Sequence, residues 1–104
     1  MKKGDIVLVI FPFTDLSASK RRPALILSVS TNNVILAFIT SKPSEVDSVI
    51  KVIPSPINNL QEESTIILGK IFTGNKSLIK GKIGEIEKDY YPKINEAIFS
   101  LLKF

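Results

Sequence analysis

Apolar residues along this chain come in short blocks, each stopped by Gly, Pro, Asn or a cluster of charge. Gly4-Asp5 opens the first block, Ile6-Val7-Leu8-Val9-Ile10-Phe11, whose β-branched and aromatic residues predict a strand. Its apolarity is continuous rather than alternating, which predicts cover on both faces, and Pro12 ends its pairing on at least one side. A polar loop, 14–22, precedes Pro23 and a second strand, Ala24–Val29. Ser30-Thr31-Asn32-Asn33 reads as a hairpin turn, because Asn tolerates positive φ, and leads to a third strand, Val34–Ile39, which stops at Thr40-Ser41-Lys42-Pro43.

The second half continues in the same style. Residues 44–47 suit one helical turn before Val49–Ile53, whose alternation places Lys51 on a wet face. Residues 54–63 form a polar loop; Ser64–Leu68 and Gly69–Phe72 then read as one bent strand with Gly69 as its bulge. Thr73–Lys76 turns the chain into a last short strand, Leu78–Gly84. After it the period changes from strand to helix. Ile94, Ala97, Ile98, Leu101 and Leu102 recur at one stripe of an amphipathic helix, with Pro92 suited to its first turn and Glu87 and Asp89 near its positive end. The expectation is one domain over residues 1–104, mainly β with a C-terminal helix, folded as a small, strongly bent barrel.

Composition narrows the chemistry by what is missing. The chain has no Cys and no His. That removes a disulfide framework, a thiolate nucleophile, the commonest metal ligand and the usual general base, and with them a Ser-His-Asp hydrolase or a paired-histidine nuclease. Catalysis would have to use hydroxyls, carboxylates, Lys, Arg or Tyr. Asp and Glu are too dispersed to predict a metal site, so neither metal nor cofactor is expected. No apolar run approaches the roughly 20 residues that span a bilayer, and the expectation is a soluble cytoplasmic protein without a membrane partner. A net charge of +4 suggests an acidic partner without deciding for one.

The densest cationic point is Lys20-Arg21-Arg22-Pro23. Pro23 biases Arg22 towards extended backbone and holds it at the mouth of a strand, where a guanidinium can grip two phosphate oxygens at once. Taken alone, the segment better suits a solvated basic loop guarding a strand edge. Thr40-Ser41-Lys42 ends the neighbouring strand. If the second and third strands form a hairpin about Thr31-Asn32, Arg22 and Thr40 share its open end, and a guanidinium, two hydroxyls and an ammonium meet in one cleft able to bind a phosphate. Ser and Thr at a strand end also commonly satisfy backbone groups. Asp15 could orient Arg22 or move a proton, Asp5 suits a turn cap as well as a catalytic role, and Lys70, Lys76, Lys80 and Lys82 could follow a nucleic-acid backbone. Phe11, Phe13 and Phe72 could stack on bases, although core packing suits Phe11 and Phe72 better.

Gly4-Asp5-Ile6-Val7, then Phe13-Thr14-Asp15, then Arg22-Pro23-Ala24-Leu25-Ile26-Leu27-Ser28 resembles the opening of the MazF/PemK toxins. Ile39-Thr40-Ser41 is similar to the family's second motif, and Ser64 through Lys70, Thr73 and Ile83-Gly84 before a helix to its C-terminal half. The resemblance implies an SH3-like, CcdB-type barrel, a homodimer, a cognate antitoxin whose tail occupies the RNA groove, and metal-independent cleavage of single-stranded RNA by the substrate's own 2′-OH. It puts the family's catalytic Arg and Thr on Arg22 and Thr40; beside them, the residues' own chemistry makes Asp15, Lys20, Arg21, Ser41, Lys42 and Lys70 expected supporting or RNA-binding residues. Two positions depart from the pattern. The first loop is Ser17-Ala18-Ser19-Lys20-Arg21 where relatives are often Gly-rich, and Arg21 stands where they often carry a histidine. The proton acceptor is therefore unassigned, since an Arg stays charged. The rival expectations are a CcdB-like toxin that binds a topoisomerase through its C-terminal helix and an inactive relative.

Overall fold

The computed structural model describes residues 1–10, 21–42 and 49–104. Phe11, Pro12, Phe13, Asp15, Lys20 and the helical turn expected at 44–47 lie outside the described residues.

Six strands form one antiparallel sheet: β1 (Asp5–Ile10), β2 (Arg21–Val29), β3 (Asn33–Thr40), β4 (Val49–Val52), β5 (Ser64–Asn75) and β6 (Ile79–Glu85). Helix α1 (Tyr91–Leu102) follows. The strand order is β4-β5-β3-β2-β1-β6, so the mainly β fold with a C-terminal helix is as expected, but the sheet does not close into a barrel. Its two edges, β4 and β6, are the short and the lysine- and glycine-bearing strands, the usual ways of blunting an edge.

Alternation along the strands sends apolar side chains to two separate cores. Ile6, Leu25, Ala37, Ile39, Ile50, Val52, Ile66 and Leu68 lie in one, against Ile86, Ile94 and the half-buried Ala97 and Ile98 of α1. Val7, Val9, Ala24, Ile26, Val34 and Leu36 point the other way and pack with Phe72, Leu78 and Ile79. Both faces of β1 are thus covered, as its unbroken apolar run requires. The second core is reached because β5 bends. Ala37 pairs with Ile71 but Phe38 with Ile67, so residues 68–70 bulge, with Gly69 at their centre.

Three further expectations are corrected. Arg21 and Arg22, expected in the loop, begin β2. Thr73, Gly74 and Asn75 continue β5 rather than turning, and the turn is a short 3-10 segment, Lys76–Leu78, whose cap Asn75 accepts from the Ser77 N–H. The helical stripe is buried only in part. Ile94 is 7% exposed, but Leu101 and Leu102 are 40% and 59% exposed, because the last turn carries them away from the first core.

Candidate active site

The cleft begins with a missing hydrogen-bond donor. Strands β2 and β3 pair as Leu25 with Ala37 and Ala24 with Phe38, and there the ladder stops. The Ile26 carbonyl accepts from Gly4 N–H on the β1 side, so by alternation odd-numbered residues of this stretch turn their backbone groups to β3. The next donor would be residue 23, opposite Ile39, and Pro23 has no N–H. Pairing with β1 is untouched and runs on through Pro23, Arg22 and Arg21. Arg22 is therefore held from one side only. Continuing the β2–β3 register brings it level with Thr40.

Beyond that last pair lies a cleft of about 610 Å³, lined by Arg22 and Pro23 from β2, Ile39 and Thr40 from β3, Ser41, Lys42, and residues 59–62 on the facing wall. Arg22 is exposed and makes no ion pair among the described residues. The Thr40 Oγ1 accepts from the Lys42 N–H at 3.2 Å. The hydroxyl thus does satisfy a backbone group at the strand end, and its own hydrogen remains to donate outward. Residues bearing a guanidinium, hydroxyls and an ammonium thus line one cleft, and these are group types that can bind a phosphate.

The facing wall was not legible in the sequence. Asn58, fully buried, accepts from the N–H groups of Ser55 and Leu60 at 3.0 Å and donates to the Ile53 carbonyl at 2.9 Å. This knots the 53–60 loop and presents Asn59, Leu60, Gln61 and Glu62 to the cleft. Asn59 takes a φ of 55° and donates to the Ile83 carbonyl at 2.9 Å. Gly84 lets the loop approach, for a Cβ there would stand 2.6 Å from the Ile57 and Asn58 carbonyl oxygens. The polar, Asn-rich composition of 54–63 was the available signal.

The other expected residues fall in several places. Ser41 and Lys42 line the cleft; Arg21 and Lys70, both exposed, do not. Asp15 and Lys20 lie outside the described residues. Asp5 is the first residue of β1 and caps the turn before it: buried, it accepts from the Lys2 N–H at 3.0 Å and lies 3.3 Å from the Lys82 ammonium. That ammonium also meets Glu85 at 3.0 Å, which ties Lys82 down. Phe72 packs with Phe38, ring centroids 6.1 Å apart, against the second core. A second hollow, of about 460 Å³ beside Lys2, Glu85 and Tyr91, is lined by charges of both signs, with Lys2 paired to Glu85 at 2.8 Å. The Arg22–Thr40 cleft is the better candidate. Among the described residues no three carboxylates group as a metal site, and no helix is long and apolar enough to cross a membrane.

The family profile described as PemK-like, MazF-like toxin of type II toxin-antitoxin system matches residues 2–102. The chain belongs to that family. Solved structures agree on the fold of this toxin. It superposes on the toxin MazF-mt6 of Mycobacterium tuberculosis with a TM-score of 0.78 at 22% identity, covering 96% of this chain and 97% of that one. For MazF of Deinococcus radiodurans the TM-score is 0.76 at 20% identity, over 100% and 97%. For a mycobacterial endoribonuclease solved with its cognate antitoxin it is 0.77 at 19%, over 98% and 94%. No curated protein sequence matches the chain.

Proposed function

We propose that this toxin is an endoribonuclease that cuts single-stranded RNA without a metal ion, using Arg22 and Thr40. The observation that carries the reading is their placement. They stand level on adjacent strands, just past the hydrogen bond that Pro23 cannot make, and line one cleft. Arg22 grips two oxygens of the scissile phosphate and meets the charge that grows as the pentacovalent state forms. Thr40 donates its hydroxyl hydrogen to a phosphate oxygen, and Ser41 and Lys42 support the same group. The 2′-oxygen bonds to phosphorus as its proton passes to solvent; the bond to the 5′-oxygen breaks and that oxygen takes a proton from water. A cyclic phosphate and a 5′-hydroxyl end result.

The toxin works as a cytoplasmic homodimer and is neutralised by a cognate antitoxin that fills the RNA groove. Support comes from family membership and from relatives of the same fold solved with antitoxin, among them MazE–MazF of Deinococcus radiodurans. The test is to incubate the protein with long single-stranded RNA in EDTA and map the ends. Discrete cuts bearing 5′-hydroxyls are expected from the wild type, with a loss of about 100-fold or more in Arg22→Ala. An Arg22→Ala protein that cuts at the wild-type rate overturns the assignment.

One observation favours a second reading, a toxin that binds a topoisomerase through α1 and cuts nothing. The end of the helix exposes Phe99, Leu101, Leu102 and Phe104. Intact RNA in the same assay, with loss of toxicity on replacing Phe99 and Leu102 by Ser, would select it.

A further inference from the structure

The sheet carries the row of Arg22 and Thr40 across two more strands. Thr40 of β3 is paired with Thr65 of β5, and Thr65 with Lys51 of edge strand β4. Residues directly opposed in an antiparallel pair share a face of the sheet. Lys51, Thr65 and Thr40 therefore stand side by side, with Arg22 level with them beyond the end of the β2–β3 ladder. Burial agrees with this face for the outer two. Ile50 and Val52 are buried in the first core while Lys51 between them is exposed, and half-buried Thr65 sits between buried Ser64 and Ile66.

We propose that Lys51 and Thr65 form a second phosphate subsite, taking the RNA backbone one or two nucleotides from the scissile bond. This rests on the nuclease reading. Strands lie about 4.8 Å apart, so Lys51 is about 10 Å along the row from Thr40, beyond the scissile phosphate but within reach of a neighbouring one. Its ammonium makes no ion pair among the described residues, in contrast to Lys2 and Lys82, which are held by carboxylates. Thr65 supplies a hydroxyl between the two phosphates. The RNA strand crosses the β-strands of this face from Arg22 towards the β4 edge.

Lysines on edge strands also serve merely to keep edges apart, so the test must separate that duty from RNA binding. Binding of labelled single-stranded RNA oligomers is followed by fluorescence anisotropy over a salt series, beside cleavage in EDTA. For Lys51→Gln we expect KM to rise about fivefold with kcat within about twofold, and the salt slope of log affinity to fall by about 0.7, the loss of one phosphate contact on a single strand. Lys51→Arg should restore slope and KM. Cleavage and salt slope equal to wild type in Lys51→Gln overturn the subsite while leaving the nuclease intact. Aggregation of Lys51→Gln at unchanged slope also overturns it, in favour of edge protection. RNA bound but never cut by the wild type defeats the nuclease reading instead, and the slope of Lys51→Gln still decides the subsite. RNA neither bound nor cut defeats both.

Discussion

The Thr40 hydroxyl oxygen takes the Lys42 N–H at 3.2 Å, which leaves its hydrogen available to donate to an occupant of the cleft. Two substitutions separate these roles. Thr40→Val removes donor and acceptor at nearly constant volume, and cleavage should fall roughly 100-fold, as for the loss of one preorganised donor. Thr40→Ser keeps both and should retain most of the rate. Arg22→Lys preserves the charge but replaces a planar fork by a point donor. Its defect should therefore appear in kcat more than in KM, measured on one mapped RNA site; a wild-type kcat would show that bidentate contact is not needed. The backbone of Arg22 was the most legible of these in the sequence, because Pro23 biases it to the extended conformation it takes in β2. Lys20, Arg21 and Lys70 share its charge, but charge states no location. Only the folded chain shows that Arg21 and Lys70 stay out of the cleft.

Strand by strand, the cleft depends on a ladder that stops and a loop that is tied. Pro23→Ala returns the N–H that can donate to the Ile39 carbonyl. The β2–β3 ladder should then lengthen, the new amide at position 23 should be protected from hydrogen exchange, and cleavage should fall about tenfold or more as Arg22 is drawn to β3. An unprotected amide with unchanged cleavage would show that Pro23 does not set the end of the ladder. On the facing wall, Asn58→Ala leaves two N–H groups and one carbonyl without their partner. We expect a loss of about 3 kcal/mol, read as a fall in Tm of more than about 10 °C. The strands were legible in the sequence because apolar blocks and turn residues are local signals. Even the bulge was, since Gly69 interrupts an apolar run. The Asn58 knot was not, because its partners, Ile53, Ser55 and Leu60, form no periodic pattern. Leu101 and Leu102 fit the helical stripe yet face solvent, since periodicity gives a face but not how far the sheet extends beneath it. Closure of the barrel failed for a related reason: short strands predict curvature, whereas closure needs a pairing between β4 and β6 that no local signal encodes.

At the scale of the molecule, the N-terminus and the back of the cleft are joined at one charged corner. Lys2 and Lys82 both hold Glu85, at 2.8 and 3.0 Å, and Lys82 reaches buried Asp5. The hydrogen bond from Lys2, followed by that from Lys82, brings the Glu85 carboxyl down from its ordinary 4.5 to about 2, and raises both lysines. A carboxylate with a depressed folded pKa stabilises the fold fully above its unfolded value and loses that contribution as pH falls through the folded one. The window is therefore about pH 4.5 down to about 2. Lys2 and Lys82 have the opposite sign: their contribution is intact below 10.5 and is lost as pH rises through their raised values. These groups are exposed, so salt should weaken the effect. Glu85→Gln should flatten the decline of Tm below pH 4.5 and leave the neutral cleavage rate nearly unchanged. The second expectation follows from how the cleft wall is held. It hangs on β6 through Glu85 N–H to the Ile57 carbonyl at 3.0 Å and Asn59 to the Ile83 carbonyl, neither of which uses the carboxylate. A Glu85→Gln protein with wild-type acid sensitivity would remove this corner from the account of stability. One that cut RNA poorly at neutral pH would show that the charges, and not those two hydrogen bonds, hold the wall of the cleft.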